Sequence, residues 1–249
     1  VVAHPEHHFI FLFDRAFDQR FIYASNVEPV VVPPPTRHPL LYRIWFEHMV
    51  PRVLRRKNAD LFVSPDGFLS TRTDLPQLAV MHDLNFEHFP EDLPPAYSRY
   101  YRTWFPRFAR MARRIVTVSA FSISDIVERY GVPSGSIDVV HNGVSEVFVP
   151  LNASEKAIAA SRFTQGAPYF VCVGAMHRRK NLANTLKAFD QVADTHPTIA
   201  LLIVGERMFR DQRMEEAWQN MRHKDRVILA GRLGQQDLRL ALGGAVALV

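Results

Sequence analysis

The segment at residues 169–181, YFVCVGAMHRRKN, carries the residue types best suited to chemistry. Its apolar, partly β-branched start stops abruptly at Gly174, which predicts a buried strand that runs into a turn. Apolar residues then recur at helical spacing, and Asn181 is a good cap for the predicted helix. A strand, a glycine turn and a helix N-terminus together form the usual arrangement that receives phosphate in an α/β sheet.

Three cations, Arg178, Arg179 and Lys180, cluster at this predicted helix N-terminus. The aligned peptide dipoles are already positive there, so each added cation is disfavoured by roughly 0.3 to 1 kcal/mol. A bound phosphate would reverse that penalty. We therefore predict that Gly174 and the three cations bind an anionic group; the alternative is a turn whose cations only face solvent.

The elements that position this segment belong to an alternating pattern. Strands are predicted at residues 9–13, 27–32, 60–63, 77–81, 115–118, 137–140, 169–173, 199–204, 227–230 and 245–249. Helices are predicted at residues 40–54, 97–114, 119–131, 181–195, 212–221 and 235–242. Such alternation implies parallel sheets with right-handed crossovers. The polar stretch at residues 145–167 is predicted to link two Rossmann-like domains, residues 1–150 and 165–249, that face a cleft.

A histidine follows one of the predicted strands directly. His82 comes after the strand at residues 77–81, and ligands bind at this edge of open α/β sheets. We predict that it belongs to a ligand site; the alternative is a satisfied core histidine.

The helix predicted at residues 119–131 has well-marked ends. Ser122 and Asp125 have the spacing of a capping box, with Phe121 in the accompanying hydrophobic staple. Gly131 is suited to end the helix.

The helix predicted at residues 97–114 combines an aromatic stripe with arginines that lie largely off it. The stripe is predicted to be core. The basic positions are Arg99, Arg102, Arg107, Arg110, Arg113 and Arg114. They form either a solvated face or a patch for acidic lipid or nucleic acid.

Composition describes a soluble globular protein with anionic partners. Of the 249 residues, 47% are hydrophobic and 22% are charged, which allows one or two domains with ample core. The formal net charge of +5 suits phosphorylated small molecules, acidic lipid surfaces or nucleic acid. The apolar ending AVALV has nothing after it to cover it, so we expect a fragment of a longer protein.

Cysteine usage and hydropathy indicate the cytoplasm. Cys172 is the single cysteine, so no intrachain disulfide can form. No apolar run approaches the roughly 20 residues that cross a bilayer, and the first residues lack the order of a signal peptide.

Several classes of chemistry lack their motifs. The sequence contains no GxGxxG, no GxxxxGK[ST] and no GxSxG, so dinucleotide, P-loop and covalent serine chemistry are disfavoured. His4, His7 and His8 form only a weak cluster, and the cysteine has no CxxC partner, so no metal site is predicted.

Taken in order, four segments resemble the retaining glycosyltransferases of family 4. They are VMHDLNFEHFPEDLP, RIVTVSAFSISDIVERYGVP, IDVVHNGV and YFVCVGAMHRRKN, and the resemblance covers nearly the whole chain. It implies the GT-B fold, in which the first of two Rossmann-like domains binds the acceptor and the second binds a nucleotide-activated sugar. It also implies a mechanism without metal or other cofactor.

The resemblance assigns roles residue by residue. The family loop whose Arg and Lys hold the donor diphosphate corresponds to Arg179 and Lys180, and the histidine of its catalytic cleft corresponds to His82. The family often has an arginine where this chain has Ala175, so Arg178 or Arg179 must supply that charge. The family's glycine-rich loop would precede Val1 and its paired-glutamate motif would follow residue 249, so the fragment alone is expected to be inactive.

The resemblance implies sugar transfer with retention from GDP-mannose or a UDP-sugar to a glycan or lipid-linked acceptor in cell-surface polysaccharide synthesis. His82 and Lys180 are the predicted catalytic residues. Peripheral contact with an acidic inner membrane is expected, and a nucleic-acid partner is not. The alternatives are a GT-B epimerase, a glycogen- or sucrose-synthase-like enzyme, and a non-catalytic module that binds nucleic acid or acidic lipid.

Overall fold

The computed structural model describes residues 1–207 and 211–249. The chain forms two compact units, Val1–Asn142 and Gly143–Val249. Both contain parallel sheets with helices between the strands, so the predicted α/β class is confirmed.

The first unit contains a four-stranded parallel sheet in the order β3-β4-β5-β6. These strands are β3 (Phe62–Ser64), β4 (Gln77–Val80), β5 (Arg114–Thr117) and β6 (Ile137–Val139). The helices of the unit are α1 (Pro39–Ile44), α2 (Val50–Arg56), α3 (Asn85–His88), α4 (Pro95–Met111) and α5 (Ala120–Tyr130). Because all four strands run the same way, their carboxyl ends share one edge of the sheet.

Two earlier strands form a separate parallel pair. β1 (Phe9–Phe13) and β2 (Val27–Val31) pair with each other and, within the described residues, with no third strand. Their residues are mostly half-buried or exposed. The prediction that they belong to a mostly buried sheet is therefore wrong.

The aromatic stripe of α4 is core, as predicted. Tyr100, Phe105 and Phe108 are buried. The helix ends at Met111, so the predicted end at residue 114 is wrong and Arg114 instead begins β5.

The start of α5 differs from the prediction. Ser119, not Ser122, is the cap, and its side chain accepts a hydrogen bond from the backbone N–H of Ser122 at 3.1 Å. Phe121 is 74% exposed, so it forms no staple. The buried Asp125 carboxylate instead accepts hydrogen bonds from His88 at 2.8 Å and from the Arg129 side chain at 3.0 Å. Asp125 thus ties α5 to α3.

The second unit contains a four-stranded parallel sheet in the order β10-β7-β8-β9. These strands are β7 (Tyr169–Val173), β8 (Ala200–Val204), β9 (Val227–Gly231) and β10 (Ala247–Leu248). The helices are α6 (Ala153–Thr164), α7 (Leu182–Thr195), α8 (Gln212–Asn220) and α9 (Gln235–Gly243). Residues from α7 and α8 pack on one face of the sheet and residues from α6 and α9 on the other, so every residue of β8 is buried.

Helix α6 falls inside the stretch predicted as a linker. A capping box begins it, with Asn152 accepting from the N–H of Glu155 at 2.9 Å and Glu155 accepting from the N–H of Asn152 at 2.9 Å. Ala159 is buried and Phe163 packs against the core. The linker prediction is therefore wrong over this helix. Its sequence is mostly polar, and packing against the core of the unit stabilises it.

Candidate functional site

The carboxyl edge of the second sheet brings backbone atoms close together. Gly174 directly follows β7 and Gly205 directly follows β8, with φ of 141° and 145°. A Cβ on Gly205 would lie 1.9 Å from the carbonyl oxygen of Gly174, so no side chain fits there. Glycine at position 205 therefore lets the backbones that follow β7 and β8 approach each other closely.

The three predicted cations lie directly beyond Gly174 along the chain. Arg178–Lys180 forms a single 3-10 turn, and all three side chains are exposed. The imidazole of His177 accepts a hydrogen bond from the Arg179 N–H at 3.2 Å and so caps the turn. The cluster therefore lies at the N-terminus of α7, as the sequence predicts.

Asn181 connects the basic turn to α7 in a way that the sequence did not predict. It occupies the cap position in the left-handed conformation, with φ of 53°, and its side chain makes no capping hydrogen bond to the described helix. Its backbone carbonyl accepts from the N–H groups of Asn184 at 3.0 Å and Thr185 at 3.3 Å. Asn181 thus turns the chain rather than capping the helix with its amide.

The structure brings Lys180 back onto Gly174. The position of a Cβ on Gly174 would be 3.3 Å from the Lys180 Cε and 3.8 Å from its Nζ. Burial raises the pKa of the Cys172 thiol, and the positive charge of Lys180 acts in the opposite direction. The Lys180 ammonium therefore lies near the end of β7, beside the helix N-terminus.

Two of the three cations of this turn, Arg179 and Lys180, have no carboxylate partner among the described residues. The N-terminus of α7 adds its own positive potential. An anion with several oxygens, such as a phosphate, suits this combination of cations and backbone N–H groups.

The predicted residue His82 belongs to the first unit. It follows β4 at the carboxyl edge and is exposed, so the core-histidine alternative is wrong. Its Nε2 donates to the carbonyl oxygen of Pro65 at 3.2 Å, and the Ser122 hydroxyl donates to the His82 carbonyl at 3.2 Å. The loop after β3 therefore contacts the exposed imidazole of His82, and the first turn of α5 contacts its backbone.

Sequence reasoning missed two residues of the second-unit site. His177 caps the basic turn, and Gly205 permits the approach to Gly174. A signal existed for Gly205, because each of the strands β7, β8 and β9 reaches a glycine at its end.

Two family models together account for most of the chain. The model described as Glycosyltransferase Family 4 matches residues 4–147. The chain belongs to glycosyltransferase family 4. A second model, Glycosyl transferases group 1, matches residues 153–249 of this family-4 chain and so contains the whole basic turn.

Curated relatives match the family-4 chain at modest identity. The O-antigen chain mannosyltransferase B of Escherichia coli is 26% identical over 182 residues, which cover 70% of this chain and 47% of the relative. A glycogen synthase of Mycobacterium tuberculosis is 25% identical over 172 residues, which cover 69% of this chain and 39% of the relative. The chain thus spans less than half the length of these relatives.

Solved structures share the GT-B fold with the family-4 chain. WaaG, a glycosyltransferase involved in lipopolysaccharide biosynthesis, matches with a TM-score of 0.70 at 15% identity, covering 99% of this chain and 67% of WaaG. Anabaena HepE in complex with UDP-glucose gives the same TM-score, identity and coverage. In the described parts of the chain, no helix is both long and apolar enough to cross a membrane.

Proposed function

We propose that the full-length protein transfers a sugar with retention from a nucleotide diphosphate sugar, GDP-mannose or a UDP-sugar, to a glycan or lipid-linked acceptor in cell-surface polysaccharide synthesis. One observation carries the proposal: the Lys180 ammonium lies over Gly174 at the N-terminus of α7. The Escherichia coli relative named as an O-antigen mannosyltransferase and the HepE complex with UDP-glucose support it.

The basic turn would act on the leaving group. As the bond between the anomeric carbon and the β-phosphate oxygen lengthens, negative charge grows on that phosphate. Arg179, Lys180 and the N–H groups at the start of α7 would stabilise this charge, and losing one such donor typically costs about 3 kcal/mol in the barrier. Since these groups exist before the donor binds, little reorganisation is needed during the reaction.

The remaining proton transfer involves the substrates themselves. The departing phosphate would take the proton of the acceptor hydroxyl, while that oxygen bonds to the anomeric carbon on the face that the phosphate leaves. His82 would orient the sugar or the acceptor. No cofactor beyond the donor substrate enters this scheme.

A donor panel tests the proposal. The full-length protein is incubated with UDP-sugars or GDP-mannose, with and without lipid-linked acceptor, and the product linkage is read by NMR. We expect acceptor-dependent consumption of one donor and an anomeric configuration equal to that of the donor. Inverted linkage would contradict retention, and donor interconversion without an acceptor would favour the epimerase.

Glycogen-synthase-like activity is a second candidate, because the Mycobacterium tuberculosis relative is similar over 69% of the chain. Extension of soluble α-glucan in place of a lipid-linked acceptor would support it. A protein that consumes no donor, and whose melting temperature no nucleotide changes, would be a binding module instead.

Basic residues along α4 lead to a membrane prediction. Arg99, Arg102 and Arg110 line a groove of about 1020 Å³ beside this helix. Each basic residue near an anionic bilayer contributes about 1 kcal/mol, so the double variant Arg99→Ala/Arg110→Ala should bind anionic vesicles roughly 30-fold more weakly. Co-sedimentation with anionic and neutral vesicles measures this.

The matched control for the membrane prediction is the double variant Arg55→Ala/Arg56→Ala, which removes two exposed arginines from the end of α2. Equal wild-type binding to neutral and anionic vesicles would rule out the electrostatic contact. If both double variants lose the same amount of binding to anionic vesicles, the net charge of the protein and not the position of the arginines on α4 determines membrane binding.

A further inference from the structure

The turn at residues 4–7 brings three metal-binding groups together. His4 Nδ1 lies 3.0 Å and His7 Nε2 lies 3.7 Å from the same carboxylate oxygen of Glu6. One ligand atom from each of the three residues lies within 4.8 Å of the others. Zn²⁺ with ligands at about 2.0 to 2.2 Å has tetrahedral ligand–ligand edges of about 3.4 Å. The two distances to the Glu6 oxygen, 3.0 and 3.7 Å, lie on either side of that value.

A side chain from another loop holds the backbone of this turn. Asn26 Nδ2 donates to the carbonyl oxygens of Val1, His4 and His7 at 3.3, 3.0 and 3.0 Å. The backbone carbonyl of Asn26 in turn accepts a hydrogen bond from the N–H of Phe9, the first residue of β1, at 2.9 Å. Both histidines therefore emerge from an ordered backbone, which lowers the entropic cost of binding an ion.

The chemistry of the three groups suits a divalent transition metal. Glu6 offers a carboxylate oxygen, and His4 and His7 each offer an imidazole nitrogen. Imidazole and carboxylate are both common zinc ligands. Since all three side chains are exposed, water can reach the ion.

The grouping differs from the one that the sequence suggested. His4, His7 and His8 are the neighbours in sequence, but His8 Nε2 lies 3.4 Å from Glu28 and outside the cluster. Glu6 takes its place. His8 is 61% exposed, the same as His4, and it therefore offers a matched control.

We propose that His4, Glu6 and His7 bind one Zn²⁺ ion, with water as the fourth ligand. The ion would cross-link the turn that precedes β1. The site lies in the first unit and shares no residue with the basic turn Arg178–Lys180. It is therefore independent of sugar transfer.

Calorimetry with Zn²⁺ tests the site. The full-length protein is prepared without a polyhistidine tag, stripped with a chelator and titrated with zinc chloride. We expect one strong site, and the variants His4→Ala and Glu6→Gln should each bind at least about tenfold more weakly. His8→Ala should bind as wild type does. Co²⁺ substitution should give the visible absorption of a tetrahedral site in wild type and in His8→Ala.

Two results would overturn the site. One is Zn²⁺ affinity that is equal in wild type and His4→Ala; the other is an equal loss in His4→Ala and His8→Ala, which indicates diffuse binding to surface histidines. Melting temperatures in chelator show whether each variant folds, and the exposure of these side chains predicts no change. Sugar transfer should be the same with and without Zn²⁺.

Discussion

Lys180→Ala in the full-length protein should reduce sugar transfer roughly 100-fold or more, because one donor facing a developing anion is worth about 3 kcal/mol in the barrier. The ammonium lies close to Gly174, where the diphosphate would lie in the proposed function. Steady-state transfer with saturating donor measures the loss. The fall should be in kcat, since charge on the phosphate grows as the bond breaks.

Stability measurements separate this effect from unfolding. Removing a cation from a helix N-terminus relieves an unfavourable dipole interaction, so the melting temperature without ligand should be unchanged or slightly higher. The rise in melting temperature on adding nucleotide diphosphate should shrink. Lys187→Ala removes an exposed lysine from the middle of α7 and should affect neither quantity. If Lys180→Ala leaves both the turnover and the nucleotide-induced rise in melting temperature unaltered, the basic turn only faces solvent and binds no diphosphate.

Gly205→Ala should destabilise the second unit by about 3 to 5 kcal/mol, because strain in the backbone and an overpacked contact add together. The new Cβ would lie 1.9 Å from the Gly174 carbonyl oxygen and 2.6 Å from its carbon. The backbone at the ends of β7 and β8 must then shift, and the basic turn that follows β7 must shift with it. Hydrogen exchange of β7, β8 and β9 amides measures the loss where it occurs.

Gly231→Ala provides the matched comparison for this prediction. Gly231 also has a positive φ, of 65°, but a Cβ there meets nothing within 4 Å among the described residues. It should cost only the conformational penalty of about 1 to 2 kcal/mol. Equal destabilisation by the two variants would contradict the close approach at Gly205.

The order of the elements could be predicted well from the sequence. The spacing of apolar residues and the residues that end each element are local features of the chain. The strand Tyr169–Val173, the glycine that follows it and the cationic turn before α7 lie where their pattern indicates. The segments that resemble the glycosyltransferase family lie within the residues that the family models match. Local signals sufficed for these features.

Features that depend on distant partners escaped prediction. Asp125 was assigned to a cap, whereas it binds His88, which is 37 residues away in sequence. The contact of Lys180 with Gly174 depends on how a single turn folds back, and no periodicity encodes that. Helix α6 was missed although Asn152 and Glu155 have capping-box spacing, because its polar sequence shows little apolar period.

Affinity for the β-phosphate is the most direct test of the basic turn. The dissociation constants of nucleoside diphosphate and monophosphate, for the base that the donor carries, are measured on wild type and on Lys180→Ala by calorimetry. The two protein forms and two ligands make a thermodynamic cycle. We predict that wild type binds the diphosphate much more tightly than the monophosphate and that Lys180→Ala loses most of this difference. Equal affinity of wild type for both nucleotides, or a difference that survives in Lys180→Ala, would contradict the account.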